Sequence, residues 1–323
     1  MIRHAVAVVV LLASFTMCVD GQTATAPDLQ YIFIDRYSSK KVIEAGNDGF
    51  AVQCVARFAQ SMILKRDGRG PRVYRLINTA RLSSFVKDLN EAAAGGFRVV
   101  PASVQGTSAV LEQQPNGARF KYSTVEGTND DAVAKAVGDA RNRGLALVAM
   151  LGGESLSGSQ KAIFLYEESE GEARVKSPGE RDYRIAMTGR TSTLEKEITQ
   201  VAVEGFRVIA AGGILAVLME RDGALVLPPT EYRVIAMRFV STGERELLAA
   251  GAEGFRIAVV PDHSQEAVFV LHRTPGTSER FDYRINQLKT KTANAQLVQA
   301  ETDGFRIAVL FNDLVVFERP STR

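Results

Sequence analysis

Apolar and polar positions follow two different periods within one short stretch of the chain. Asp182–Met187 alternates like a strand, and the next apolar residues recur on one face of a helix: Leu194, Ile198, Val201 and Ala202. Gly205 stands where the end of a helix needs a positive φ, and Phe206–Ile209 returns to strand composition. The apolar run Ala216–Arg221 follows. The pattern predicts a β-α-β-β unit.

The unit recurs, and each copy is marked by a Tyr-Arg pair followed by Gly-Phe-Arg. Both signatures occur at Tyr74-Arg75 with Gly96-Phe97-Arg98, Tyr183-Arg184 with Gly205-Phe206-Arg207, Tyr232-Arg233 with Gly254-Phe255-Arg256, and Tyr283-Arg284 with Gly304-Phe305-Arg306. Degenerate copies begin at Tyr31 and Tyr122. We therefore expect an α+β protein of six tandem β-α-β-β repeats, with mainly antiparallel sheets and helices on one face.

The signatures divide the chain into a leader, two sets of three repeats and a linker. We place a signal peptide at 1–26, repeats at 27–67, 68–114 and 115–169, a linker at 170–182, and repeats at 183–222, 223–274 and 275–323. Because one unit is near the lower size limit for independent stability, neighbours are expected to share buried surface. A six-bladed propeller also has this period, but propeller blades consist of strands alone.

Two sheet arrangements are compatible with the pattern. In the favoured one, the last strand of a unit lies between the other two, because a helical crossover joins parallel strands. In the alternative, the turn signals Asp67-Gly68 and Asn116-Gly117 join the last strand of one unit to the first strand of the next, so that one sheet runs across the repeats.

The motifs resemble a bacterial domain family. Tyr-Arg-[Ile/Val], the helix end Ala252-Glu253-Gly254-Phe255 and the closing Phe317-Glu318-Arg319-Pro320 are similar to a small β-α-β-β family of unknown function, whose motif reads Y-[KR]-V…G-A-E-G-W-E-L-V…F-K-R. This chain uses Phe where that family commonly has Trp, and it contains no Trp. The resemblance implies tandem copies of that fold and implies no activity.

The N-terminal segment has the order of a signal peptide. A short basic start precedes an apolar run from Ala5 to Val19 and a small polar tail, so we expect a periplasmic or secreted protein with no transmembrane segment after cleavage. Cys18 would leave with the leader unless it is lipidated, and Cys54 alone cannot form an internal disulfide. The net charge of +2 gives no reason to expect nucleic acid as a partner.

Catalytic motifs are absent from the sequence, and neither a cofactor nor a metal site is predicted. The mature chain would keep two histidines, His263 on a predicted loop and His272 on a predicted strand. The pair Ser84 and Lys87 and the run Gly153–Ser157 match nucleophile motifs only superficially. An enzyme that uses carboxylates alone, such as a glycoside hydrolase, would leave no motif, so that alternative stays open.

Arginine is the recurrent polar residue. If Tyr and Phe both face the helix, alternation puts the following arginines on an uncovered face: Arg184, Arg207, Arg233 and Arg256. Closing strands supply Glu112, Glu220 and Glu318, and His272 in the fifth copy. The row therefore forms either an ion-pair ladder or a set of anion-binding forks. We expect a non-catalytic binding or scaffolding protein whose partner is an unknown envelope protein or glycan, with a purely structural spacer as a further alternative.

Overall fold

The computed structural model describes residues 31–36, 38–56, 61–115, 117–154, 160–169, 181–213, 215–223, 228–261 and 266–321. The leader 1–26, most of the linker and His263 lie outside these ranges. Six β-α-β-β units follow one another: β1 Tyr31–Ile34, α1 Ser39–Asn47, β2 Phe50–Val55, β3 Met62–Arg66; β4 Tyr74–Asn78, α2 Leu82–Ala94, β5 Phe97–Val99, β6 Ser108–Gln113; β7 Phe120–Gly127, α3 Asp130–Asn142, β8 Ala146–Glu154, β9 Gln160–Ser169; β10 Arg181–Met187, α4 Thr191–Val203, β11 Arg207–Gly212, β12 Ala216–Asp222; β13 Glu231–Met237, α5 Val240–Ala252, β14 Arg256–Val259, β15 Ala267–Arg273; β16 Phe281–Gln287, α6 Ala293–Thr302, β17 Arg306–Phe311, β18 Leu314–Pro320.

Each unit has its own three-stranded sheet, in which the third strand lies between the first and the second and is antiparallel to both. The predicted α+β class and the favoured strand order are therefore confirmed. The alternative, a sheet that runs across the repeats, is wrong because the structure has six separate sheets. Strand β10 begins at Arg181, one residue before the alternating run Asp182–Met187 and two residues before the predicted start of the fourth repeat at 183.

The local sequence explains why each unit folds in this way. Every helix is followed by a glycine with positive φ, a backbone conformation that favours glycine: Gly49, Gly96, Gly144, Gly205, Gly254 and Gly304. Each helix buries one apolar face, as in α4, where Leu194, Ile198 and Ala202 are buried. Side chains of Ser38 and Asn129 accept hydrogen bonds from backbone N–H groups in the first turns of α1 and α3.

Helices cover both faces of the sheets. The apolar cluster around α4 contains Met219 and Val217 of its own sheet together with Tyr232, Val268 and Val270 of the next sheet. The cluster around α5 likewise joins Phe269 and Leu271 to Tyr283 of the sixth unit. Each of these helices is thus packed between its own sheet and the following one, and the expected sharing of buried surface between neighbours is confirmed.

The six units close into a ring. Helices α1 to α5 contact the first strand of the next unit, and α6 contacts β1 of the first unit. At this closure, Leu297 and Phe305 of the sixth unit share an apolar cluster with Tyr31 and Ile63 of the first unit. The ring was not predicted from the sequence. It shares circular closure with a propeller, although every unit contains a helix.

Helix side chains also cover the outer edge of the first strands. In five of the six junctions a side-chain oxygen of one helix accepts a hydrogen bond from a backbone N–H of the next first strand: Asn90 from Tyr122, Asp130 from Ile185, Glu195 from Val234, Glu244 from Ile285, and Asn294 from Tyr31. These bonds occupy strand edges that would otherwise be open to pairing with other chains. Among the described residues, no helix is long and apolar enough to span a membrane.

Candidate functional site

The signature tyrosines connect neighbouring units. At four junctions the tyrosine hydroxyl accepts a hydrogen bond from a backbone N–H in the second strand of the preceding unit: Tyr74 from Val52 at 3.2 Å, Tyr122 from Val99 at 2.8 Å, Tyr232 from Val208 at 2.8 Å, and Tyr283 from Ile257 at 3.1 Å. All four tyrosines are buried. Their recurrence is therefore explained by packing between units rather than by ligand stacking.

Cross-strand pairing corrects the predicted distribution of the signatures between the two sheet faces. Tyr183 pairs with Glu220, and Glu220 pairs with Arg207, so these three residues share one face. Arg184 lies on the opposite face, where its guanidinium is 5.8 Å from the centre of the Phe206 ring. The expectation that Tyr and Phe share a face was wrong. The tyrosine face is not uncovered, because the helix of the preceding unit packs on it.

The four candidate arginines do not converge on one site. Arg233 binds Glu253 at 2.6 Å, and Arg256 forms an ion pair with Glu318 at 3.4 Å. Arg207 donates to the Pro228 carbonyl at 3.4 Å. With Arg184 over Phe206, each of the four contacts an acid, a carbonyl or a ring of its own or a neighbouring unit. Arg233 pairs with an acid at the end of α5 and Arg256 with a glutamate of the next unit. The predicted ladder, with a third-strand carboxylate between two arginines of one unit, therefore does not form at these four residues, and they are not a row of open forks either.

A cavity of about 540 Å³ lies at the junction of the third and fourth units. Its walls combine charged and apolar groups: Arg141, Gly144, Leu145, Ala146, Leu147, Arg181, Ile209 and Glu220. We call this cavity the junction pocket. The third unit supplies the end of α3 and the start of β8, while the fourth supplies β10, β11 and β12.

Two departures from the repeat line the junction pocket, and a third lies buried beside it. Leu145 follows the helix-ending glycine, where the other five units have Phe. Arg141 stands three residues before that glycine, at a position occupied by Gly or Ala in four units. Tyr166 is the only residue with a hydroxyl at a third-strand position that is otherwise apolar, namely Leu64, Leu111, Met219, Leu271 and Phe317. The smaller Leu145 provides room, Arg141 adds a charged group to the lining, and Tyr166 places a buried hydroxyl near Arg141 and Glu220.

The polar groups of the junction pocket are centred on Glu220. Arg181 donates to one carboxylate oxygen, and Arg141 lies 3.1 Å from the other. The side chain of Glu220 is only 12 % exposed, so both ion pairs are partly shielded from solvent. Arg181 also lies 3.6 Å from Asp222.

Two tyrosine hydroxyls lie beside this ion-paired group. The Tyr166 hydroxyl is buried and has no hydrogen-bond partner among the described residues. Burial, followed by the neighbouring Tyr183, raises the pKa of Tyr166. Burial and the Glu220 carboxylate raise the pKa of Tyr183, although the two groups lack hydrogen-bond geometry. Both hydroxyls are therefore protonated at neutral pH and able to donate.

The remaining sequence candidates lie elsewhere. Ser84 and Lys87 are exposed on α2. His272 lies on β15, and burial lowers its pKa. Burial raises the pKa of Cys54 to about 12, so this thiol is protonated and unreactive at neutral pH. Within the part of the chain that the structure describes, no cluster of three or more His, Cys, Asp or Glu residues is arranged to hold a metal ion.

The sequence did not reveal the junction pocket, because the pocket depends on which units are neighbours. The available signal was the set of departures from the repeat, above all Leu145 in the Phe position. Comparisons with protein-family models, curated proteins and solved structures give no match for this chain.

Proposed function

We propose that this is an exported, non-catalytic binding protein of the cell envelope, which holds a small ligand in the junction pocket. The observation that supports the proposal is that three departures from the repeat, Leu145, Arg141 and Tyr166, occur together at the junction of the third and fourth units. Repetition by itself builds a rigid scaffold, whereas a binding site needs unlike groups that converge on one cavity. The signal-peptide pattern of 1–26 supports export.

The lining favours a small organic anion with an apolar body. Leu145, Leu147 and Ile209 form the apolar part of the wall, and Ile209 is 40 % exposed. Arg141 and Arg181 face the two carboxylates of Glu220 and Asp222, and the nearby Arg143 adds a further positive charge. An anionic ligand would balance that charge. The volume of about 540 Å³ is in the usual range for small-ligand sites.

The carboxylate of the junction pocket is ion-paired, which supports binding over hydrolysis. A hydrolase that uses two carboxylates needs a general acid or base whose protonation can change during turnover. Arg181 and Arg141 occupy the two oxygens of the Glu220 carboxylate, so this side chain is not free to contact a substrate in that role.

The first test fills the junction pocket with the residue that the other units carry. The probe is 8-anilinonaphthalene-1-sulfonate, an apolar ring system with one negative charge, titrated into the full chain by calorimetry with fluorescence as a second readout. Leu145→Phe should preserve the fold, because Phe occupies the equivalent position in the other five units, and it should abolish binding at this site. Binding of equal strength to Leu145→Phe would contradict the proposal.

The second test compares two equivalent arginines. Arg181→Gln removes a donor of the junction pocket, and Arg72→Gln removes the equivalent donor of the second unit, which pairs with Glu112 and Asp67. We expect Arg181→Gln to weaken probe binding at least about tenfold, since a hydrogen bond to a charged group contributes roughly 1.5–3 kcal/mol. Arg72→Gln should leave the affinity unchanged. An equal loss in both variants would indicate a general effect on stability.

A further inference from the structure

Four junctions of the ring share a small helix residue at the point of closest approach. It stands three residues before the helix-ending glycine: Gly46, Ala93, Ala202 and Gly251. A Cβ atom added to Gly46 would lie 2.7 Å from the carbonyl oxygen of Arg72, and one added to Gly251 would lie 2.2 Å from that of Phe281. At these two junctions the helix backbone therefore packs directly against the backbone at, or just before, the start of the next first strand.

The other two junctions carry a charged residue there. Between the third and fourth units it is Arg141, and between the sixth and first units it is Glu301. These junctions are the two places where the first half of the ring, units one to three, meets the second half, units four to six. The same position is thus small within the halves and charged between them.

The signs of the charges are exchanged between the two junctions. Arg141 lies 3.1 Å from Glu220, the residue of β12 that pairs with Tyr183. Glu301 forms an ion pair with Lys65, the equivalent residue of β3, which pairs with Tyr31. Glu301 also accepts a hydrogen bond of 2.8 Å from the Tyr31 hydroxyl. One junction therefore has a basic helix and an acidic strand, and the other has an acidic helix and a basic strand.

We propose that the exchanged charges at these junctions direct each half of the ring to pair with the other half and not with a second copy of itself. Two first halves in contact would bring Arg141 towards Lys65, and two second halves would bring Glu301 towards Glu220. The side chains are only partly exposed: Arg141 34 %, Lys65 23 %, Glu301 31 % and Glu220 12 %. Like charges would therefore meet in a poorly solvated contact. The partner of each interface is the opposite half, and the covalent link favours the half of the same chain. This inference is independent of any ligand.

The test makes the two junctions alike without breaking either one. The double variant Lys65→Glu/Glu301→Arg keeps an ion pair at the closure of the ring but gives it the same polarity as Arg141–Glu220. A second double variant, Lys65→Gln/Glu301→Gln, removes the charges from the closure. The control is Lys40→Glu/Glu44→Arg, which exchanges an exposed ion pair within α1. Each full chain is refolded from urea at increasing protein concentration, and the products are measured by size-exclusion chromatography with light scattering.

We expect wild type and control to refold mainly to monomer, whereas both closure variants should form dimers and larger species severalfold more often as concentration rises. If one closure variant fails to fold, the other decides the result. Refolding of the closure variants to the same monomer fraction as wild type would overturn the proposal. An equal rise in the control would overturn it as well, because that pair does not lie between units.

Discussion

At the scale of single residues, the third-strand arginines of the second half explain much of the recurrent sequence. Arg221, Arg273 and Arg319 each stack on the signature Phe of their unit, with the guanidinium 4.7, 4.6 and 4.4 Å from the ring centre. Each also donates to a carbonyl at the end of its own helix and binds an acid on the first strand. In each unit, one arginine side chain thus connects the first strand, the aromatic ring of the signature Phe and the end of the helix.

The signature Phe should therefore be a large contributor to stability. Phe206 is buried between Arg184 and Arg221. We expect Phe206→Ala to lower the free energy of unfolding in urea by about 3–5 kcal/mol, because it removes a buried ring. The matched control is Phe239→Ala, where the ring is 67 % exposed, and its effect should stay within about 0.5 kcal/mol. Similar losses in the two variants would contradict this account.

His272 should make stability depend on pH. It replaces the usual glutamate at the centre of the fifth sheet and stacks on Tyr232 with ring centres 6.5 Å apart. Burial lowers the pKa of His272, and Arg207 acts in the same direction, while Glu318 and Glu279 oppose them. The unfolded chain therefore binds a proton at His272 more readily than the folded protein does. The contribution of neutral His272 to the free energy of unfolding should be fully present above its ordinary pKa of 6.5 and should be lost as the pH decreases through that value.

The measurement compares wild type with His272→Gln in urea unfolding between about pH 7.5 and pH 5.5. We expect wild type to lose more stability over this interval than the variant, which cannot take up the proton. An identical pH dependence in the two proteins would show that His272 does not contribute.

At the scale of elements, the strands and helices were predictable from the sequence, whereas the sheet face on which each signature residue lies was not. Alternation over Asp182–Met187 and the glycine after each helix are local signals, and the structure confirms the elements that they predict. The tyrosine face could not be identified locally, because the helix that covers it belongs to the preceding unit. The second strands also contain a local irregularity in five units, for example between Val208 and Ala210. Such bulges shift the register of later residues.

Close packing between elements predicts that replacing glycine by alanine has opposite effects on stability at two helix positions. Gly251 lies in α5 against β16, and an added Cβ would be 2.2 Å from the Phe281 carbonyl oxygen. Gly138 lies in α3, where an added Cβ meets nothing within 4 Å. We expect Gly251→Ala to destabilise the protein by about 1–3 kcal/mol and Gly138→Ala to stabilise it by up to about 1 kcal/mol. Thermal unfolding of both variants checks the signs. A stable Gly251→Ala protein would show that the junction adapts.

At the scale of the whole molecule, equivalent contacts recur three units apart. Tyr122 and Tyr283 each donate to a buried glutamate, Glu167 and Glu318 respectively, at 2.7 and 2.8 Å. In both cases an arginine in the second strand of the preceding unit forms an ion pair with the same carboxylate. Arg98 pairs with Glu167, and Arg256 pairs with Glu318. The ring is therefore built from two similar halves, as the position of the linker in the sequence suggested. Its closure was not predictable, because the contact between α6 and β1 joins opposite ends of the chain.

A closed ring should lose stability as one unit, even when the change is made at one junction. Leu297 is buried in the cluster that joins the sixth and first units, so Leu297→Ala should cost about 2–5 kcal/mol. In an open array, that loss would fall mainly on neighbouring units, whereas in the ring every unit depends on two interfaces.

Hydrogen exchange measured by mass spectrometry distinguishes these cases. We expect Leu297→Ala to speed exchange of the slowest amides in β9 and β12, on the far side of the ring, as much as in β3 and β18. Val203→Ala, at a side chain that is 77 % exposed on α4, should leave all four strands unchanged. Faster exchange confined to β3 and β18 would show that the units open separately. A uniform increase would show that the contact between the first and last units supports the entire ring.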